Sequence, residues 1–260
     1  MTAVPKAEPE AHDRRSLHER IAADLRGDIM SGELPAGANL PSTAQLRTRF
    51  DASNATIQKA LQLLKEERLV IGRAGAAVTV REHRQRTIRP AVSLTPAAAD
   101  GSYPWLTEAA KHGTDARIML LDVRETVPPA DIRNALALPD DGVAVLRSQL
   151  VLIDDEPAEL VDSYYPLVIA DGTPLTDHRR IKGGTATLLR QLGHAPHHCK
   201  DRVSARVPTQ EQFEALRLPG SLPVLCTLRV VLDADGRPIE ATSMVKAGHL
   251  YEVLYEFVPE

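Results

Sequence analysis

The sequence predicts an α+β protein of two domains, a small helical domain followed by a larger one built on an antiparallel sheet. Two observations support this. Apolar residues repeat at helical spacing up to residue 64, whereas strand-like runs dominate after residue 115. The charge also changes sign: residues 16–90 hold 12 Lys and Arg against 8 Asp and Glu (net +4), and residues 91–260 hold 16 against 24 (net −8). The basic part coincides with the helical part.

Composition sets broad limits on the class of protein. The chain has 260 residues, of which 43% are hydrophobic and 25% charged, a globular balance. No apolar run approaches the roughly 18 residues that span a bilayer, and the start lacks the apolar core of a secretory signal. Two cysteines cannot form a disulfide framework. We therefore expect a cytoplasmic protein, with residues 1–15 as a disordered tail.

Three helices are expected in the first domain, over residues 16–82. Leu17, Ile21, Leu25 and Ile29 form one apolar stripe, and Gly32 ends that helix. Ser42 with Gln45 makes a capping box for the second helix. Asp51 suits a left-handed turn and Ser53 the next N-cap. The third helix buries a stripe of four residues: Ile57, Ala60, Leu61 and Leu64.

A short hairpin follows these helices. "RLVIGRAGAAVTVRE" predicts two strands around a glycine-containing tip, a wing. Helix, helix, turn, helix and wing is a geometry that places the third helix in a major groove about 12 Å wide. The alternative is a helical hairpin packed on a β-hairpin for stability alone.

Ordered landmarks over roughly 65 residues resemble the winged helix-turn-helix of the GntR family of bacterial repressors. They are "SGELPAG", "LPS", the turn from Phe50 to Ser53, "ATIQKAL" and the "LV" before the wing. The resemblance implies a DNA-binding surface. It is assigned to thirteen residues: Ser42, Thr43, Ala44, Arg47, Arg49, Ser53, Asn54, Ala55, Thr56, Gln58, Lys59, Arg73 and Gly75.

This chain departs from the family at several of these positions. The family commonly has Glu-Arg after "LPS", where Thr43 and Ala44 stand here, and arginines where Asn54 and Gln58 stand. An amide presents one donor and one acceptor, which suits adenine N6 and N7, whereas arginine suits guanine. We therefore predict A·T pairs at the positions that Asn54 and Gln58 face. The alternative is that one or both contact only phosphate.

Residues 83–94, within "REHRQRTIRPAVSL", are polar and basic and are predicted to be a linker. Beyond them, six strand-like runs alternate with three short helices, "PADIRNALAL", "TATLLRQLG" and "TQEQFEALRL". Two hairpins, "VLRSQLVLIDDEPAEL" and "VVLDADGRPIEATSMV", share a design with an acidic turn followed by proline.

This second half, residues 95–260, resembles the UTRA effector-sensing domain, whose fold is like that of chorismate lyase. "DDEPAELVDSYYP", "LLRQLG" and "DADGRPIEATSMV" are among the features that resemble it. The pair of domains implies the HutC-like branch of the family, with an effector pocket. Carried over, the pocket residues are Ser102, Tyr103, Arg147, Gln149, Glu159, Arg206, Glu240 and Tyr251. For each of them the alternative is a salt bridge or a solvated position.

"GHAPHHCKD" gathers histidines and a cysteine, but its spacing matches no standard zinc pattern and Pro196 favours a solvated loop. We expect no metal and no cofactor. The sequence also lacks a nucleophile elbow, a P-loop and a dinucleotide fingerprint, so we expect no enzyme.

The expected function is a bacterial homodimeric repressor. It would bind an inverted-repeat DNA operator and be released by a small-molecule effector, without a membrane partner. Three alternatives stay open: an effector that strengthens DNA binding, a plasmid-type repressor whose second domain only dimerises or binds a protein, and a lyase-like enzyme.

Overall fold

The structure, a computed structural model, describes residues 13–72, 77–82, 86–88, 115–220 and 222–256. The chain divides into two compact units between Arg84 and Gln85. Each unit has its own hydrophobic core, and each is considered separately.

Three helices make up the body of the N-terminal unit: α1 (Leu17–Ser31), α2 (Thr43–Phe50) and α3 (Asn54–Glu66). Their ends follow the predicted local chemistry. Gly32 ends α1 in the left-handed region at φ 92°, and Asp51 does the same for α2 at φ 46°. Ser42 and Gln45 form the predicted capping box, and the Ser53 hydroxyl accepts the Thr56 N–H at 3.2 Å.

Apolar stripes hold the three helices together. The four predicted residues of α3 are all buried, as are Ile21, Leu25 and Ile29 of α1; Leu17, at the start of that stripe, is exposed. An ion pair ties α1 to the end of α3, where Arg26 Nε and Nη2 donate to the Glu67 carboxylate at 2.8 and 2.5 Å. Because Glu67 is buried, its charge needs this partner.

The two predicted strands of the wing are confirmed. β1 (Val70–Ile71) pairs antiparallel with β2 (Thr79–Val80). The segment before α2 is hydrogen-bonded to the β2 side of this hairpin. Leu40 N–H donates to the Val78 carbonyl and Val80 N–H to the Ala38 carbonyl, both at 2.8 Å. The wing tip, residues 73–76, lies outside the described residues.

The C-terminal unit is built on a six-stranded antiparallel sheet with the strand order β4-β5-β6-β9-β8-β7. Its strands are β4 (Ala116–Thr126), β5 (Ala144–Ile153), β6 (Glu156–Pro166), β7 (His198–Arg206), β8 (Val224–Leu232) and β9 (Pro238–Ala247). The helices are α4 (Ala130–Ala135), α5 (Leu167–Ala170), α6 (Thr185–Gln191) and α7 (Gln210–Ala215), with a 3₁₀ turn at Pro174–Thr176.

The sheet is an internal repeat, which explains the two similar hairpins in the sequence. Strand, helix, strand, strand occurs twice, as β4-α4-β5-β6 and as β7-α7-β8-β9. α4 and α7 begin 80 positions apart, and each is followed by a residue at positive φ, Ala137 (54°) and Arg217 (48°). β6 and β9 pair at the centre, so the two repeats are related by an approximate two-fold axis between these strands.

The two faces of the sheet differ. On one face α4 and α7 pack against apolar side chains such as Leu146, Leu160 and Val245. The other face, called the polar face below, is covered at one end by the segment from α5 to α6. Its other end is covered around Tyr251. Between these covers the polar face carries charged and hydroxyl side chains.

Part of the predicted linker belongs to the C-terminal unit. Residues 86–88 form β3 (Arg86–Ile88), which pairs in parallel with β10 (Tyr251–Val253). Arg86 also donates to Asp154 at 2.9 Å, and the Thr87 hydroxyl donates to Glu252 at 2.6 Å. The local composition predicts a solvated linker here. The strand pairing could not be predicted from it, because the hydrogen-bond partners lie far along the chain.

Candidate functional sites: a helix-turn-helix surface and the polar face of a sheet

The first candidate site is the surface formed by the N-terminal turns of α2 and α3. Asn54, Ala55, Gln58 and Lys59 of α3 are exposed, and so are Ala44 and Arg47 of α2. Asn54 and Gln58 are four residues apart and therefore lie on one side of the helix. The amides predicted to face a base pair thus stand together at the solvent-facing start of α3.

Several predicted DNA contacts also hold the local structure. The Ser42 and Ser53 hydroxyls cap α2 and α3, and the Thr56 hydroxyl lies 2.9 Å from that of Ser53. Arg49 is paired within the unit: its Nη1 donates to Asp28 at 2.8 Å, and its guanidinium lies 4.8 Å from the Phe50 ring centroid. Arg73 and Gly75 fall in the wing tip, outside the described residues.

One contact joins the two helices at this surface. Gln58 Nε2 donates to the Thr43 hydroxyl over 3.5 Å, a long hydrogen bond. Thr43 is the first residue of α2 and Gln58 belongs to the second turn of α3. Two positions at which this chain departs from the GntR pattern are therefore in contact with each other.

The second candidate site is the polar face of the six-stranded sheet. Residues paired directly across neighbouring strands point to the same face. One row of such pairs crosses five strands and consists of Arg147, Ser163, Thr242, Arg229 and Asp201. The next row along the strands consists of Gln149, Val161, Met244, Thr227 and Val203.

Arg147, one of the predicted pocket residues, lies on the polar face, where its side chain has a structural role. It is 1% exposed, and Nη1 donates to the main-chain carbonyls of Leu175 and Asp177, each at 2.8 Å. Nη2 donates to the Arg179 carbonyl at 2.7 Å. The guanidinium therefore fixes the backbone of the segment that covers one end of the face. Its contact with an effector stays a prediction.

Gln149 and Glu159 lie on the same face as Arg147. Gln149 is partly exposed in the second row, and Glu159 is bound to Lys246, which stands directly opposite on β9. The Lys246 ammonium is buried, so the pair satisfies its charge.

Glu240 lies beside Tyr165, at the end of the polar face that the segment from α5 to α6 covers. The Thr242 hydroxyl lies 2.6 Å from Glu240 Oε1 and 3.0 Å from the Ser163 hydroxyl. Burial raises the pKa of the Glu240 carboxyl, while its hydrogen bond to Thr242 and the nearby Arg229 charge act in the opposite sense. Burial, and next the Glu240 charge, hold the pKa of the Tyr165 hydroxyl well above its usual value.

Arg206 is separated from the other pocket candidates. Side chains alternate along β7, so Asp201 and Arg206 point to opposite faces. Arg206 is exposed, and its Nε lies 3.1 Å from Cys226 Sγ on the face that α7 covers. We therefore leave Arg206 out of the site. Tyr251 is buried in β10 at one end of the polar face, whereas Ser102 and Tyr103 lie outside the described residues.

Sequence reasoning missed half of the polar face. Ser163, Thr242, Arg229 and Asp201 complete the row that contains Arg147, and none was a candidate. A signal was present: Glu240, Thr242 and Lys246 recur at even spacing in a strand whose other residues, apart from Ser243, are apolar, as do Thr227 and Arg229 on β8. Which of these strands faced Arg147 required the register, which long-range pairing sets.

The histidine and cysteine cluster is divided by secondary structure. Residues up to His197 precede β7, whereas His198 and Cys199 are its first two residues and therefore point to opposite faces. Among the described ranges, no group of three or more His, Cys, Asp or Glu residues is arranged to hold a metal ion. Within the same ranges, no helix is both long and apolar enough to cross a membrane.

Comparison with known proteins identifies both units. Residues 17–80 match the model of the bacterial regulatory proteins of the gntR family, and residues 111–252, more than half of the chain, match the UTRA domain. The chain belongs to the GntR family. It is a transcriptional regulator of the GntR/UTRA, HutC-like architecture.

Relatives align over almost the whole chain. HTH-type transcriptional regulator GgaR of Escherichia coli K12 is 25% identical over 255 residues, covering 96% of this chain and 93% of that protein. HTH-type transcriptional regulator SCO4628 of Streptomyces coelicolor is 26% identical over 261 residues, covering 97% and 95%. Both matches span the DNA-binding and the sheet unit together.

Solved structures share the fold. The crystal structure of a protein assigned to the GntR family superposes with a TM-score of 0.58 at 23% identity, covering 95% of this chain and 99% of that one. PhnF from Mycobacterium smegmatis gives a TM-score of 0.53 at 16% identity, covering 91% and 99%. The predicted fold, a winged helix-turn-helix joined to a UTRA antiparallel-sheet domain, is confirmed.

Proposed function

We propose that this regulator is a homodimeric repressor that a small-molecule effector, bound on the polar face of the sheet, releases from an inverted-repeat operator. The observation that carries the effector part is the row of polar side chains at the centre of that face. The observation that supports the operator part is the exposed pair of amides at the start of α3. In this proposal the protein acts on DNA in the cytoplasm and catalyses no reaction.

The composition of the polar face supports a ligand site. The buried polar and charged side chains described in the C-terminal unit are Arg147, Ser148, Ser163, Thr227, Arg229, Thr242 and Lys246. All but Ser148 belong to the polar face, as the strand register places them. Burying such groups costs free energy that an apolar face would avoid. A ligand that needs several convergent hydrogen-bonding groups provides a reason to retain them.

Partly exposed side chains lie beside these buried ones. Gln149, Val161 and Met244 are each half-buried in the row next to Arg147. A ligand on the face would contact an amide and two apolar side chains there, with Ser163 and Thr242 beneath it. Binding pockets commonly combine an apolar lining with a few placed polar groups in this way.

The operator geometry follows from two copies of the helix-turn-helix. A two-fold dimer presents two α3 helices, and a palindromic site mirrors that symmetry. An effector that binds more tightly to the arrangement unable to bind DNA would shift the population away from the operator.

One observation favours a second candidate, in which the C-terminal unit only dimerises or binds a protein. The charges of the polar face are paired internally: Arg229 with Asp201, and Lys246 with Glu159. A sheet that binds no small molecule could retain such pairs for conformational specificity.

A thermal-shift screen with sugar phosphates, organic acids and lactones separates the two candidates. A ligand at about 100 times its Kd stabilises the native state by about 2.7 kcal/mol, so even modest binders raise the Tm. We expect at least one class to do so in the wild type but not in Gln149→Leu. Gln191→Leu, at an exposed glutamine of α6, is the matched control and keeps the response. A wild type that responds to no compound supports the dimerisation candidate instead.

A further inference from the structure

The contact between Thr43 and Gln58 has a consequence for how the operator is read. Gln58 is exposed on the second turn of α3, and its amide nitrogen donates to the Thr43 hydroxyl across the helix-turn-helix. A glutamine amide nitrogen carries two hydrogens, and its carbonyl oxygen has acceptor capacity of its own. The Thr43 bond engages only one of these groups.

The geometry of the amide group determines which of its hydrogen-bonding groups remain available to DNA. One amide hydrogen lies on the same edge as Oε1 and the other points away from it. If the hydrogen directed away from Oε1 donates to Thr43, the edge that carries Oε1 and the second hydrogen is left to face the DNA. Adenine presents N6–H as a donor and N7 as an acceptor in the major groove, the complement of that edge.

We infer that Thr43 is a specificity-determining positioning residue, whose hydroxyl holds the Gln58 amide in the orientation that pairs with adenine. Thr43 itself is anchored, because it is the first residue of α2 and lies inside the capping box that Ser42 and Gln45 form. A side chain fixed before binding loses less rotamer entropy on the DNA. The inference rests on the proposed operator binding and adds the residue that controls base choice at one position of each half-site.

Binding-site selection from a random duplex library, with the full-length chain, tests this assignment. The wild type is expected to enrich adenine at one position of each half-site by about tenfold over other bases, the discrimination typical of one bidentate contact. Thr43→Val keeps the shape but removes the hydroxyl, and should lower that preference to about threefold while other positions keep theirs. Thr43→Ser restores the hydroxyl and should restore the preference.

Two further variants complete the design. Thr48→Val is the matched control, because the Thr48 hydroxyl donates to the Ala44 carbonyl within α2; its base profile should equal that of the wild type. Gln58→Glu keeps the shape but has no N–H, so the protein should lose its preference for adenine at this position. Cytosine should be enriched there instead, because its N4 amino group donates to the carboxylate. Thr43→Ala, which also lacks the hydroxyl, takes the place of Thr43→Val if that variant fails to fold, whereas Gln58→Glu tests that Gln58 itself reads the base.

The inference is overturned if Thr43→Val keeps the wild-type preference, or if it weakens binding to every sequence equally. Guanine at this position in the wild-type site would overturn it as well. A wild type that enriches no sequence at all contradicts the proposed operator binding itself, and so the two failures are distinguishable.

Discussion

The Arg147 guanidinium and the main-chain carbonyl of Leu175 are joined by a buried hydrogen bond of 2.8 Å. It connects β5 of the C-terminal sheet to the segment that covers one end of its polar face. The carbonyls of Asp177 and Arg179 accept from the same guanidinium. One side chain therefore fixes every second carbonyl over five residues of this segment.

Arg147→Lys should therefore loosen the cover while keeping the charge, because an ammonium cannot span three carbonyls as a planar guanidinium does. We expect the amides of Thr176 and Asp177 to exchange hydrogen faster, with local protection lower by about 1.5–3 kcal/mol. Arg190→Lys is the control, since Arg190 donates to one carbonyl within its own helix. Unchanged exchange in Arg147→Lys would contradict the role given to this residue.

The ion pair of Asp201 and Arg229 is predicted to matter for stability. Two hydrogen bonds of 2.7 Å join them, and their side chains are only 11% and 7% exposed. Asp201→Ala leaves a buried guanidinium without this partner and should lower the free energy of unfolding by about 3–5 kcal/mol. Chemical denaturation measures this.

The matched control for that loss is Asp235→Ala. Asp235 pairs with Arg237 at the surface, with side chains 69% and 76% exposed, so its removal should change stability by less than about 1 kcal/mol. Equal losses in the two variants would show that the burial of the Asp201 pair has no energetic consequence.

The raised pKa of Glu240 predicts a pH dependence of stability. Its value in the unfolded chain is near 4.5, and burial raises it in the folded chain. Its contribution is therefore fully present below about pH 4.5 and lost as the pH rises through the folded pKa. Glu240→Gln removes that loss while keeping an acceptor for Thr242.

Thermal unfolding across the pH range checks this prediction. The Tm of Glu240→Gln relative to wild type should be higher at about pH 7 than at about pH 4. Glu125→Gln, at an exposed glutamate of β4, serves as the control. A difference between Glu240→Gln and wild type that is the same at both pH values would refute the burial effect.

Lys59 provides a prediction about the DNA backbone. It is exposed on α3, whereas Arg49 of α2 is paired with Asp28. Lys59→Ala should weaken binding to all duplexes alike and reduce the slope of log K against log salt by about 1. Lys65→Ala, in the last turn of α3, should leave the slope unchanged. A loss confined to one sequence would instead assign Lys59 to base reading.

The helix ends and the buried stripes of the N-terminal unit could be predicted because their causes are local. Ser42 with Gln45, and Asp51 at positive φ, need only neighbours within one turn. The partners of Arg147 could not be predicted, because its acceptors lie 28 to 32 residues further along the chain. Arg206 shows the same limit: alternation assigns its face only once the register of β7 against β8 is known.

Fluorescence anisotropy on the selected operator tests the central claim most directly. The operator is titrated with wild type and Gln149→Leu, with and without a compound that raises the wild-type Tm in the ligand screen. The account predicts that the compound weakens operator binding by wild type at least about tenfold, a coupling of roughly 1.4 kcal/mol, and has no effect on Gln149→Leu. A compound that binds wild type yet leaves its operator affinity unchanged would contradict the account.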